Sequence, residues 1–278
     1  MTNNVLNAMT VDIEDFFHVS AFESVISPNN WDEYKPRVNE NTRRLLDLFN
    51  THNVKSTFFV LGWVAERYPE LIKEIHRQGH EIASHGYAHR RATEQTPEEF
   101  EQDVVRSKNH LEDLLGEKII GYRAPSFSIG YNNEWAFQVL AELGFKYSSS
   151  TYPVKHDLYG TPDWPRFAYK RKENIIEIPI PTHRILGRQT PIGGGGYFRL
   201  YPYPLTKFLV KSYLKKEQQP YSFYFHPWEI DEHQPRVAGA SAKSRFRHYI
   251  NINKTYGKLD RLLSDFSWGT MREVYGVF

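Results

Sequence analysis

The chain has twelve histidines and no cysteine, so any soft metal ligand in its 278 residues is an imidazole. Two of them, His85 and His89 in SHGYAH, stand four residues apart. That spacing lets both rings reach one cation when the turn between them is helical or tightly coiled. Among twelve histidines such a pair also arises by chance, so it needs company. The stretch TVDIEDFFHVS supplies it, with Asp12, Glu14 and Asp15 crowded at the end of an apolar run. Phe16, Phe17, Val19 and Phe22 imply that this segment packs against the body of the protein. Like charges in a packed site require a cation or a shared proton. One carboxylate then joins the two histidines in a set that leaves a position open for water, and another stays free to accept a proton.

Two further groups end apolar runs. Arg123 in GYRAPSFS is placed to fix a carboxylate through both arms of its guanidinium. His226 in FYFHPWE would by itself read as a satisfied core histidine, and only the other motifs make it a functional candidate.

The elements that must position these residues alternate between helical periodicity and short β-rich runs, the pattern of βαβ units around a mostly parallel sheet. Leu45, Leu46, Leu48 and Phe49 give a first helix its apolar face. STFFVLG, HEIASHG, IIGYRAP, FKYSSS, IIEIPI and YSFYFHP read as strands, and PELIKEIHRQG, TPEEFEQDVVRSKNHLEDLLG, NNEWAFQVLAELG and PLTKFLVKSYLKKEQ as helices. In such folds functional groups follow the carboxyl ends of strands, where Asp12, Glu14, Asp15, His85, His89, Arg123 and His226 all stand. Residues 151–174 and 228–247 read as irregular loops over one face. The four glycines of PIGGGGYFRLYP read either as a flexible connector or as backbone that a ligand approaches closely.

Composition narrows the function classes. With 35 basic and 33 acidic residues, a net charge of +2 and no basic run, the chain carries no signature of nucleic-acid binding. No stretch approaches the eighteen or so apolar residues of a membrane span, and the first residues do not read as a secretory leader. The expectation is a soluble, cytoplasmic protein. A hydrophobic content of 40% over this length suits one globular domain with a sizeable core.

Taken in order, TVDIED, SHGYAH, YRAPSF and YFHPWE resemble the blocks of the metal-dependent polysaccharide deacetylases, the family 4 carbohydrate esterases, from residue 10 to about 229. DIEDFFHVSAFE, GGGGYFRLYP, FHPWEID and RFRHYINI with KLDRLLSDF are similar to a subgroup associated with bacterial exopolysaccharide gene clusters. The resemblance implies an α/β fold, a distorted (β/α) barrel of seven or eight strands. It implies a single deacetylase domain over 1–278, with 228–278 as an extension packed on the barrel. It further implies a hydrolase of amide C–N bonds that removes N-acetyl groups from a glycan, in exopolysaccharide biosynthesis and in association with the synthesis machinery. A divalent ion, zinc, is the implied cofactor.

Carried over by position, Asp12 is the general base, His226 the general acid and Arg123 the residue that orients Asp12. His85 and His89 are metal ligands, joined by Glu14 or Asp15. Period-two geometry favours Glu14, which shares a side with Asp12, if the strand extends that far. The backbone of Ser126 is the implied oxyanion donor, and Tyr197, Trp164 and Trp228 are candidate sugar-stacking faces. One block departs from the pattern: KYSSSTYP stands where many relatives carry an Asp-rich segment, so Ser148, Ser149 and Ser150 offer hydroxyls but no charge to Arg123. Two other readings share these residues. One is a hydrolase of a small cyclic amide, like allantoinase, and the other a catalytically silent carbohydrate-binding barrel.

Overall fold

The structure is a computed structural model that describes residues 5–155, 160–185 and 187–278. Eleven strands are present among the described residues. They are β1 (Leu6–Ile13), β2 (Thr57–Val60), β3 (Glu81–Ser84), β4 (Gly121–Tyr122), β5 (Tyr147–Ser148), β6 (Tyr169–Lys170), β7 (Ile176–Glu177), β8 (Thr182–Ile185), β9 (Arg188–Pro191), β10 (Ser222–Phe225) and β11 (Ser267–Gly269). The main sheet runs β10-β1-β2-β3-β4-β5-β7-β6, and β11 also pairs with β1. Every pairing in it is parallel except β6 with β7. Its eight-strand path is the curled, incomplete barrel that the motifs imply.

Parallel strands flanked by helices are buried on both faces, and accordingly β1 is buried from its second residue on and β2 throughout. The helix Val38–Thr51 buries Leu45, Leu46, Leu48 and Phe49. The helix Pro97–Leu115 starts with a reciprocal cap between Thr96 and Glu99, then buries Phe100, Val104 and Leu111 before ending at left-handed Gly116. No helix among the described residues is long and apolar enough to cross a membrane.

Three stretches differ from the sequence expectation. Residues 228–247 are not a plain loop: a short 3-10 turn covers Pro227–Ile230, and Ala242–Tyr249 is a helix capped by the Ser241 hydroxyl. Its polar composition left only His248 buried, too little to show a periodic face. Strand β6 lies within the other stretch expected to be irregular, 151–174, of which 156–159 falls outside the described residues. Strands β8 and β9 form an antiparallel hairpin that their mostly polar residues did not announce. Three of the four glycines make close approaches to protein atoms, and Gly196 faces open space. A Cβ on Gly193 would sit 2.8 Å from Pro181 Cδ, one on Gly194 2.6 Å from the Tyr224 hydroxyl and one on Gly195 2.2 Å from Glu229 Oε1.

Candidate active site

Strand β1 lies between β2 and β10, one strand in from the end of the path, and runs parallel to both, so its carboxyl end opens on the same side as theirs. Asp12 is the second-last residue of β1, and its Oδ1 accepts from Arg123 Nη1 at 2.5 Å. Arg123 is fully buried just beyond β4 and is held on every side. Nη1 also donates to the Thr10 hydroxyl, Nη2 to the Ser149 hydroxyl and Nε to the Ser149 carbonyl. Its guanidinium lies 3.9 Å from the centroid of the Phe59 ring. Ser149 therefore supports Arg123 through a hydroxyl and a carbonyl and brings no charge to it. A carboxylate does stand behind those serines, and sequence reasoning missed it. Glu177 Oε1 accepts from the Ser150 and Thr151 backbone N–H groups and from the Thr151 hydroxyl. Burial pushes this carboxyl up to about 7 despite those hydrogen bonds. Its signal was one glutamate inside the apolar run IIEIPI.

At the next strand ends, His85 Nε2 and His89 Nε2 lie 3.0 and 3.1 Å from the same atom, Glu14 Oε1. His85 Nδ1 faces the Arg123 carbonyl at 2.8 Å, an acceptor that fixes a proton on Nδ1 and turns Nε2 toward Glu14. The loop between the histidines is anchored by Asp103, whose carboxylate accepts from Tyr87 N and Ala88 N. His89 itself adopts a left-handed φ of 51°, uncommon for a residue with a side chain and in keeping with a constrained site.

The ligand atoms of Glu14, His85 and His89 lie within 4.8 Å of one another, as do those of Asp12, Glu14 and His226, and Glu14 belongs to both groups. Two imidazoles and a carboxylate at spacings of about 3 Å suit one divalent ion bound at roughly 2 Å. Burial alone would raise the Glu14 carboxyl, yet the charges of His89 and His226 and the hydrogen bonds of His85 and His89 hold it well below the carboxylate range. Burial would lower His85, but its bond to Glu14 and the charge of Asp12 carry it above the usual imidazole value. The set is thus tuned to attract positive charge.

Asp15, kept beside Glu14 as a possible ligand, takes another job. Its carboxylate accepts from the backbone N–H groups of Phe16, Arg37 and Val38 and so tethers the start of the helix Val38–Thr51. Successive residues diverge at the strand end, and only Glu14 turns to the histidines. His18, unremarked in the sequence, accepts from Asp15 N with Nδ1 and is packed against Trp31 and Trp63. Burial, helped by the charge of His89, drives it down to about 3, so it stays neutral.

His226 follows β10. Its Nε2 lies 3.9 Å from Asp12 Oδ2 and 3.7 Å from Glu14 Oε1, while its Nδ1 lies 2.8 Å from Glu229 Oε1. Burial lowers its pKa, partly offset by the charges of Glu14 and Asp12. These groups share a cavity of about 240 Å³ whose wall includes Ser126, in a left-handed conformation with φ 55°. Of the aromatic candidates, Trp228 lines this cavity, and Tyr197 lines an adjoining one of about 370 Å³. Trp164 does neither: it packs against Tyr131 and Phe137, beneath Arg171. A tryptophan in a loop carries no periodicity to tell packing from display.

A family model described as polysaccharide deacetylase matches residues 30–148, and a domain of unknown function (DUF3473) matches residues 149–276. A peptidoglycan-N-acetylglucosamine deacetylase of Bacillus cereus is 35% identical over 156 residues, 55% of this chain and 53% of that protein. The chain spans about half the length of the curated relatives it matches first. Among solved structures, a provisionally named polysaccharide deacetylase from Mycobacterium smegmatis is similar with a TM-score of 0.60 and 20% identity, over 99% of this chain and 91% of that one. A family 4 pseudoenzyme from Bacillus anthracis is similar with a TM-score of 0.52 and 13% identity, over 99% of this chain and 66% of that one. At such identities the likeness shows the fold alone, and a pseudoenzyme among the neighbours underlines that fold is not turnover. The polysaccharide-deacetylase resemblance read from the motifs is met by the match over 30–148.

Proposed function

We propose that this chain, with its polysaccharide deacetylase segment at 30–148, is a metal-dependent hydrolase that removes N-acetyl groups from a glycan. One observation carries the reading. The ligand atoms of Glu14, His85 and His89 converge in the same cavity that Asp12 and His226 line. A divalent cation in that set supplies Lewis acidity to a carbonyl and to water. Everything else falls to the chain's own groups. Asp12, oriented by Arg123, takes a proton from the attacking water at its carboxylate. His226 Nε2 gives a proton to the departing amine nitrogen, without which an amide is a poor substrate. The Ser126 backbone at the cavity wall serves as the oxyanion donor. Tyr197 offers a ring to a neighbouring sugar, whereas Trp228, stacked on both His226 and His248, presents only an edge to the cavity.

Zinc is the proposed ion, since two imidazoles and one carboxylate are a recurrent zinc set. The exopolysaccharide substrate rests on the blocks DIEDFFHVSAFE and GGGGYFRLYP, whereas the relatives' names favour N-acetylglucosamine in peptidoglycan. A screen should therefore hold both kinds of polymer. Acetate release is measured from N-acetylated oligosaccharides by protein as purified, after chelation and after zinc is restored. The reading requires release that chelation abolishes and zinc returns. Bound metal without acetate from any N-acetylated glycan would leave a silent binder, and turnover of allantoin in its place would identify a cyclic amidohydrolase.

A further inference from the structure

Two motifs have so far no part in the chemistry: the four glycines with their following arginine, and the glutamate that closes FHPWE. The structure joins them at one carboxylate. Glu229 is buried, and its Oε1 accepts from both the backbone N–H and the ring Nδ1 of His226, at 3.1 and 2.8 Å. Its other oxygen accepts from Arg199 Nη1, and the buried Arg199 is tied in turn to the Arg247 carbonyl at 2.8 Å. Arg199 stands one turn along the helix Gly195–Leu200 from Gly195. A Cβ on Gly195 would lie 2.2 and 2.3 Å from the two carboxylate oxygens, so only glycine leaves room for the acid. The imidazole of His226 is also stacked on Trp228, with centroids 5.2 Å apart and planes 18° from parallel.

Resting on the deacetylase reading for its catalytic meaning, we propose that Glu229, braced by Arg199, is the positioning residue of His226. A carboxylate only accepts, so it fixes the His226 proton on Nδ1 and turns Nε2 toward Asp12 and Glu14. When Nε2 takes up a proton, the ring becomes an imidazolium paired with Glu229. When that proton passes to the departing nitrogen, the Nδ1–H tautomer is restored and Glu229 keeps its charge throughout. Gly195 thus leaves the space in which the Glu229 carboxylate sits, and FHPWE carries both the proton donor and its anchor.

The test uses the full chain with nitrogen-15 histidine, the His226 signals being assigned from His226→Gln. At a pH about two units above the ordinary imidazole value, wild type should show protonated Nδ1 and bare Nε2, and Glu229→Leu a mixture of tautomers. In acetate release, Glu229→Leu should lower kcat by about 10- to 100-fold, with KM and metal content within twofold. Glu229→Gln, which keeps a carbonyl acceptor, should recover part of the loss. If Glu229→Leu does not fold, Glu229→Gln carries the kinetic readout and wild type the tautomer. A bare Nδ1 in wild type, or a kcat within twofold of wild type in every folded variant, overturns the inference. The tautomer needs no turnover, so an inactive protein with Nδ1 protonated sinks the deacetylase reading and leaves this one standing.

Discussion

The segment matched as polysaccharide deacetylase, 30–148, and the segment matched as a domain of unknown function, 149–276, contribute differently to the cavity. The first brings His85, His89 and Arg123, whose partners are Glu14 and Asp12 at the end of β1. The second brings His226 with Glu229 and Arg199, and the serines and Glu177 behind Arg123. Asp12 and Glu14 precede both matched segments. The proposed cation set is therefore local to β1 and the first segment, whereas the proposed proton donor and the groups behind Arg123 come from the second.

The sharpest way to break this division is to remove one group from each side. His85→Ala should lose the metal and take acetate release to background, whereas His226→Ala should keep the metal and lose about 10²- to 10⁴-fold in kcat. Metal analysis beside kinetics decides it, and loss of metal from His226→Ala would make that histidine a ligand and erase the contrast. Asp12→Asn should behave like His226→Ala, folded and metal-loaded but slow. Near-normal turnover by that variant removes Asp12 from the role of base.

A smaller effect sharpens the second segment's part. The Glu177 carboxyl is raised by burial to about 7 from 4.5, so the native protein holds a proton that the unfolded chain has released. Stability from this group is undiminished below about pH 4.5, falls as pH rises toward 7 and then levels off. Glu177→Gln should flatten that fall, a gain on the order of 3 kcal/mol at most above pH 7. Urea melts across the pH range measure it, and an unchanged slope would mean that Glu177 is ionised at no cost. The smallest effect separates the neighbours Glu14 and Asp15. Asp15→Asn should cost about 1–2 kcal/mol by weakening the tether to Arg37 and Val38, with metal content unchanged. Loss of metal there would return Asp15 to the ligand set.

Much of this arrangement was legible in the sequence, for physical reasons. A strand end aims its last polar residues into the mouth of a parallel sheet, so Asp12, His85, Arg123 and His226 could be picked without coordinates. Glu14 was favoured over Asp15 by alternation alone, and that choice depends on where β1 stops alternating. The anchors were hidden differently. Glu229 stood in plain view three residues after His226, the spacing of a capping box, but its meaning requires the packing of Arg199 from thirty residues earlier. Glu177 was visible only as a charge in an apolar run, and nothing local says which serines it will meet. Trp164 misled because stacking on sugar and stacking on Phe137 demand the same residue.

The Thr10 hydroxyl bonds to the carbonyl of Phe223, 213 positions away, and β11 reaches β1 from still farther along the chain. Pairings that distant form late, after the cost of closing so large a loop. During synthesis, then, β1 can pair with β2 long before β10 exists, and a ribosome-bound fragment ending before residue 222 carries His85 and His89 without the strand that delivers His226. His226 therefore comes to face Asp12 and Glu14 only after more than two hundred residues have followed them.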